Sequence, residues 1–174
     1  VKLNQPTATS TSSQPNYSDW TLFRNGYSLP LPPDWKNTSD TGGTAVLEVG
    51  DSPESTIGSI QQISITVISD AKSTGQRFTT QKEFDDWSKV EGEVQGSIQK
   101  LDNLMIDNEK AIELLDESGG ENELMVITWI RKDNRNFYIN FKGNQKYETD
   151  DAVAIDYILS NFKFTSPPIT GSKK

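Results

Sequence analysis

Short runs in which apolar and polar residues alternate recur along the chain and predict a structure made mainly of β-strands. In residues 62–68, isoleucine and valine alternate with polar residues, which places the apolar side chains on one face of a strand. The most apolar run, at 124–130, predicts a central strand. Strands are predicted in this way at 20–23, 27–29, 44–49, 62–68, 101–106, 110–115, 124–130 and 136–141.

Turn residues join several of these runs into hairpins. Asn25-Gly26 separates the first two runs, and this dipeptide favours the tight turn of a β-hairpin. Pro30, Pro32 and Pro33 are expected to end that hairpin, because proline cannot donate a hydrogen bond to a neighbouring strand. Two further hairpins are predicted to turn at Asp107-Asn108 and Asp133-Asn134.

One segment between the strands has helical spacing instead. Thr80 and Glu83 match a capping box, with Thr79 as the alternative cap, and apolar residues at helical spacing follow them. Two glycines weaken the pattern beyond Glu91, which leaves two alternatives. Either the helix ends there and residues 94–100 are extended, or the helix continues through them.

A second helix is predicted near the end of the chain. It begins at about Asp150, with Thr149 as its cap. Its apolar stripe consists of Ala152, Ile155, Ile158, Leu159 and Phe162. A hairpin, further strands, a helix, a meander and a final helix together predict an α+β fold, an antiparallel β-sheet flanked by helices.

The distribution of polar residues predicts three parts along the chain. Residues 1–18 are rich in Ser, Thr, Asn, Gln and Pro, which predicts a flexible leader that tethers the folded part of the chain. A single domain is expected over 19–165, because roughly 145 residues is a common domain size. Residues 166–174 are expected to form a disordered tail.

Charge and composition exclude several kinds of chemistry. The net charge of −8 argues against a nucleic-acid-binding protein, which needs a basic face to neutralise phosphates. The chain contains no cysteine and no histidine, so disulfides, thiol catalysis, imidazole-based triads and Cys/His zinc sites are excluded. No cofactor is expected. No apolar run is long enough for a transmembrane helix, so membrane association is expected only through an anchor upstream of Val1.

Acidic residues remain as candidates for chemistry. Asp85-Asp86 and Asp150-Asp151 are adjacent pairs, but neighbours on a helix point in different directions, so these are expected to be solvated or capping acids. The acids around one loop could approach a divalent cation, although they lack the pattern of a calcium loop, and a metal site is left open. These loop acids are Asp116, Glu117, Glu121 and Glu123.

Residues 40–42 match the Asp-Thr-Gly triplet of aspartic proteases. That site needs an apolar strand before the triplet and a second carboxylate to share a proton. Here the polar residues 36–39 precede it and are expected to form a loop, so the match is attributed to chance.

The proline-rich segment after the first hairpin supplies the candidate ligand-binding residues. They are Trp35, Asp34 and Tyr27. A tryptophan that follows a proline loop can line a surface cleft, whereas most tryptophans lie in the core. The question for Trp35 is therefore whether its ring is buried or lines a cleft.

Three stretches resemble PsbP-like domains. Residues 23–35 resemble the opening of the family, in which Gly-Tyr-Ser is followed by prolines and a tryptophan. Residues 105–113 resemble its central hairpin, and residues 155–164 resemble its closing helix and the strand after it. The resemblance implies an α/β/α sandwich around an antiparallel sheet, a fold that bacterial surface lipoproteins share. It brings no catalytic residues with it.

These observations favour a protein that is not an enzyme. We expect an extracytoplasmic domain, tethered at the cell envelope, that binds or stabilises a protein partner. The alternative is a module that binds a small ligand or a divalent cation. A second alternative, a carboxylate-based hydrolase, would need two acids that converge in a pocket, and the sequence shows no such pair.

Overall fold

The computed structural model describes residues 17–22, 25–52, 56–69, 78–90, 93–95, 98–118 and 123–165. Most of the expected leader and all of the expected tail lie outside these ranges. The helices are α1 (Gln81–Trp87) and α2 (Thr149–Ser160), and neither has the length and apolar character needed to cross a membrane. The strands are β1 (Ser18–Leu22), β2 (Tyr27–Leu31), β3 (Lys36–Thr41), β4 (Thr44–Glu48), β5 (Ile60–Ser69), β6 (Glu93–Gln95), β7 (Ile98–Ile106), β8 (Glu109–Asp116), β9 (Leu124–Lys132), β10 (Arg135–Gly143) and β11 (Lys163–Phe164).

The strands form one large and one small antiparallel sheet. The large sheet has eight strands in the order β3-β4-β5-β10-β9-β8-β7-β6, and the small sheet has the order β1-β2-β11. The hairpins β7–β8 and β9–β10 turn at Asp107-Asn108 and Asp133-Asn134, as predicted, and all four residues have positive φ. Asn and Asp tolerate this conformation better than other side chains. The predicted α+β class, with an antiparallel sheet flanked by helices, is confirmed.

The two faces of the large sheet bury different sets of side chains. Phe137, Ile139 and Phe141 of β10 are fully buried in the larger core, which also contains the apolar side of α2. Tyr138 points to the opposite face and packs with the smaller cluster that contains Phe84 of α1. We call these the α2 face and the α1 face. The alternation follows from the period of two along a strand.

The small sheet covers part of the α2 face through Tyr27. This residue is fully buried, and its ring stacks on Phe162 with 5.6 Å between ring centroids. The ring also meets Phe137 of the large sheet edge-on at 6.4 Å. Phe164 of β11 is the register partner of Tyr27, so residues near both ends of the described chain meet here.

The predicted capping box of α1 is present. The Thr80 side chain accepts a hydrogen bond from the Glu83 amide at 3.2 Å, and the Glu83 carboxylate accepts one from the Thr80 amide at 3.2 Å. The helix ends at Trp87, so the longer alternative is wrong. Residues 98–100 belong to β7 and are extended, as the shorter alternative predicted.

The start of α2 differs from the prediction in one detail. Its cap is Glu148, not Thr149, because Glu148 has an extended backbone and Thr149 is already helical. Asp151, three residues on, is 1% exposed and accepts a hydrogen bond from the Glu148 amide at 2.9 Å. Its other carboxylate oxygen accepts a hydrogen bond from the Ser59 amide at 2.6 Å. Asp151 therefore fixes the first turn of α2 to the turn that precedes β5.

Replacing Asp151 with alanine is expected to lower the free energy of unfolding by about 3 kcal/mol, because two backbone amides lose a charged acceptor. The matched control is Asp150→Ala, which removes an exposed acid from the same helical turn and is expected to cost no more than about 0.5 kcal/mol. Chemical denaturation of both variants measures the difference. Equal losses would contradict the role of Asp151.

One strand was predicted as a loop. Residues 36–39 lie in β3, the outermost strand of the large sheet, which pairs only with β4 among the described strands. The hairpin turns at Gly42-Gly43, where φ is 63° and 91°. An edge strand that is not buried needs no apolar face, so its composition resembles that of a loop.

Pro30 was predicted to end the first hairpin, but it lies inside β2 opposite Asp19. On the other side of β2, the short strand β11 reaches only Ser28 and Tyr27. Pro30 therefore has a described neighbouring strand on one side only. Proline is tolerated in a strand where no neighbouring strand needs the backbone N–H that it lacks.

Candidate functional site

The three ligand-binding residues predicted from the sequence lie in different surroundings. Trp35 is half-buried and packs against the larger core, whereas Asp34 is exposed with φ at 63°. The Asp34 backbone occupies the space that a side chain at position 50 would need, so Gly50 lets the proline loop pack closely. Tyr27 is fully buried, so these residues do not form one surface. A binding role for the Trp35 loop stays a prediction.

The acids predicted from the sequence have local structural partners. Asp86 of α1 lies 3.2 Å from the Lys89 ammonium, and Asp85 lies 3.9 Å from that of Lys110. Asp151 caps the first turn of α2. Adjacent acids thus act in ion pairs and caps, as expected for neighbours that point in different directions.

The loop acids are also engaged locally where the structure describes them. Asp116 accepts a hydrogen bond from the Ser118 amide at 2.9 Å, and Glu117 accepts one from the Gln99 side chain at 3.0 Å. Glu123 is exposed, and Glu121 lies outside the described residues. Among the residues that the structure describes, no three acids are grouped so that they could hold a metal ion.

A buried acid that the sequence analysis did not single out lies on the α2 face. Glu113 of β8 is 6% exposed, and its register partners are Thr128 of β9 and Asp102 of β7. Within the described part of the chain, Glu113 Oε1 and Thr128 Oγ1 are buried without a hydrogen-bond partner. The sequence contained a signal for this burial: Glu113 alternates with Ala111 and Leu115, so an acid shares a strand face with apolar residues.

The surroundings of Glu113 favour its protonated form. Burial, and then the nearby charges of Asp156 and Asp102, raise the pKa of Glu113 to about 7. Burial and the charges of Glu113, Asp156 and Asp151 likewise raise the pKa of Tyr147 to about 12.

A cleft of about 600 Å³ opens on the α1 face, between the end of α1 and the β7–β8 hairpin. Three of its lining residues are lysines, although the chain as a whole has 25 acidic and 17 basic residues. We call it the lysine cleft. Its lining residues are Ser88, Lys89, Lys100, Asn103, Leu104, Met105, Lys110 and Ala111.

Lys100 of the lysine cleft contacts the backbone of the segment that follows α1. Its half-buried ammonium donates hydrogen bonds to the carbonyl oxygens of Ser88 at 2.5 Å and Val90 at 2.8 Å. Asn103 donates to the same Ser88 oxygen at 3.1 Å. These contacts fix the segment after α1 over β7. No described carboxylate forms an ion pair with Lys100, so carbonyl dipoles are its only described partners.

The rim of the lysine cleft combines charge with apolar surface. Lys89 and Lys110 have side chains that are 73% and 66% exposed, so their ion pairs with α1 are weak. Met105, beside them, is 65% exposed. Of the four exposed large apolar residues among the described ones, Val90, Leu101 and Met105 belong to the segments that frame the cleft. Exposed apolar side chains mark an interaction site where they form a contiguous patch.

Sequence reasoning did not find the lysine cleft. Lys89 follows α1, Lys100 lies in β7 and Lys110 lies in β8, so no motif along the chain connects them. Only the placement of α1 over the β7–β8 hairpin brings them together.

Comparisons with known proteins identify the fold and not a family. No protein-family model and no curated protein sequence matches the chain. The structure is similar to that of the Saccharomyces cerevisiae Ran-binding protein Mog1p, with 8% identity, coverage of 87% of this chain and 96% of that chain, and a TM-score of 0.55. It also resembles the cyanobacterial PsbP, CyanoP, of Synechocystis sp. PCC 6803, with 14% identity, coverage of 93% and 98%, and a TM-score of 0.49. The first likeness carries the conclusion that the chain has a PsbP/Mog1-like fold.

Proposed function

We propose that this protein is a non-enzymatic domain, tethered on the extracytoplasmic side of the cell envelope, that binds a protein partner through the lysine cleft. The cleft is the observation that carries the proposal. Methionine is enriched at protein interfaces, and exposed Met105 lies beside three lysines that can attract an acidic partner. Mog1p, which has the same fold, is a Ran-binding protein.

The composition of the chain supports a protein as the partner. The net charge of −8 opposes binding to nucleic acid and to anionic membrane surfaces, both of which attract basic proteins. A local group of three lysines on this acidic chain can still attract a partner's acidic patch, because charge is screened over about 8–10 Å at physiological ionic strength.

The extracytoplasmic location is proposed from the polar composition of residues 1–18 and from the resemblance to PsbP-like domains of the surface-lipoprotein type. Added protease digests extracytoplasmic proteins in spheroplasts, whose outer layers are opened but whose cytoplasmic membrane is intact, and leaves cytoplasmic ones. We expect the full-length protein to be digested in spheroplasts. Protection until the cytoplasmic membrane is lysed would contradict the proposed location.

Partner binding is tested by photo-crosslinking in the cells that make the protein. A photoreactive amino acid replaces Met105 in the lysine cleft or, as the matched control, Val153, an exposed apolar residue of α2. We expect a discrete crosslinked protein from position 105 and none from position 153. The same product from both positions, or none from position 105, would contradict the proposed site.

A further inference from the structure

We infer that the lysine cleft takes an extended acidic segment of the partner, which adds as a further strand to the edge of β7 beyond its described pairs with β6. This inference rests on the proposed function and specifies the chemistry of the partner. Two features of the structure carry it: the part of the β7 edge that pairs with no described strand and the arrangement of charges on either side of β7.

The outer edge of β7 is paired over only a short stretch. The pairs with β6 are Glu93 with Gln99 and Gln95 with Ile98. From Lys100 to Ile106, no other described strand lies on this side of β7. An edge with unpaired backbone groups is a template for an extended peptide, which gains main-chain hydrogen bonds there.

Side chains along this edge of β7 determine at which positions an added strand can have carboxylate side chains. Lys100, Asn103 and Met105 line the cleft on the α1 face, whereas Asp102 is the register partner of Glu113 on the α2 face. Successive side chains of an added strand also alternate between these faces. Carboxylates on the α1 side would meet lysines, and carboxylates on the other side would meet Asp102.

The charges of the lysine cleft favour carboxylates in particular. The Lys100 ammonium has three donors, and carbonyl oxygens occupy two of them. A carboxylate from the partner would supply the third acceptor and the counter-charge. Lys89 and Lys110 are exposed enough to reorient towards a bound segment, and Met105 offers an apolar contact beside them.

The probe is a labelled peptide of about seven residues, the length of β7 beyond its pairs with β6, in which glutamate alternates with valine or threonine. Its control has glutamine in place of every glutamate, so only charge differs. Fluorescence anisotropy measures binding to the full-length protein. We expect the glutamate peptide to bind about tenfold or more tightly than the glutamine peptide, since it makes several charged contacts.

The variants test the site. Lys89→Gln/Lys110→Gln is expected to weaken binding of the glutamate peptide about fivefold, since each exposed pair contributes little by itself. The matched control Lys36→Gln/Lys146→Gln removes two exposed lysines outside the cleft, and it is expected to change binding less than about twofold. If both double variants weakened peptide binding equally, the net charge of the protein would explain the effect. That result would overturn the lysine cleft as the binding site.

Amide exchange tests the geometry. Added strand pairing is expected to slow hydrogen exchange in residues 100–106 and to leave β3, the opposite edge of the sheet, unchanged. Binding without protection of β7 would overturn strand addition.

Two further arms identify the ligand class. Binding of a single-stranded oligonucleotide or of anionic lipid vesicles at least as tightly as the glutamate peptide would overturn an acidic protein segment as the occupant.

If position 105 crosslinks a partner in cells but the glutamate peptide does not bind, the inference fails and the proposed function stands. If the peptide binds at β7 but no partner is crosslinked in cells, the proposed function fails and the peptide chemistry of the cleft stands.

Discussion

The stabilisation gained by replacing Glu113 with glutamine is expected to be about 3 kcal/mol larger at pH 8 than at pH 4.5. In the unfolded chain the carboxyl group ionises near its ordinary pKa of 4.5, and burial and nearby acids raise the pKa in the folded protein to about 7. The folded state therefore holds this proton more tightly than the unfolded state does. Between these two pH values, rising pH ionises the unfolded state first and lowers the free energy of unfolding. Above about pH 7 the loss is complete.

Urea denaturation across this pH range measures the difference between the wild type and Glu113→Gln, in which the titration of groups that do not interact with Glu113 cancels. Glutamine has the size of glutamate and carries no charge, so the buried site is retained. The matched control is Glu123→Gln, which removes an exposed acid just before β9 and is expected to follow the wild-type pH dependence. A gain from Glu113→Gln that does not vary with pH would contradict the burial of an ionisable group at this position.

Replacing Tyr27 with alanine is expected to lower the free energy of unfolding by about 3–5 kcal/mol, the range for a large aromatic side chain removed from a core. The ring is fully buried between Phe162 and Phe137, so its removal leaves a cavity between the two sheets and the end of α2. Thermal or chemical unfolding measures the loss. Tyr27→Phe, which keeps the ring, is the control and is expected to lose about 1 kcal/mol or less. A loss below about 1 kcal/mol for Tyr27→Ala would contradict a packing role.

Local signals along the chain predicted most of the described elements. The Thr80–Glu83 capping box placed α1, because the contacts that make it lie within one helical turn. The turns at Asp107-Asn108 and Asp133-Asn134 placed two hairpins, because few residues other than glycine adopt positive φ so readily. Such features depend on neighbours in sequence and can be read directly from it.

Features that depend on tertiary packing were not predicted from the sequence. Strand β3 was predicted as a loop, because an edge strand needs no apolar pattern. Glu113 was predicted to lie in a strand, but its burial was not predicted, because the sequence does not show which face of the sheet α2 covers. Nothing in the sequence places Lys100 beside Lys89 and Lys110. The fold class was therefore predictable from periodicity, whereas the lysine cleft and the buried acid were not.

The position of β2 between β1 and β11 has a consequence for the order of events during synthesis. Most neighbours in the large sheet are also neighbours in the chain, so those hairpins can pair while the chain is still growing. Tyr27 is synthesised long before Phe162, which stacks on its ring, and Phe164, which is its register partner. A nascent chain therefore keeps its first hairpin without these two aromatic partners until Phe162 and Phe164 have been made, so the small sheet closes after the hairpins of the large sheet can pair.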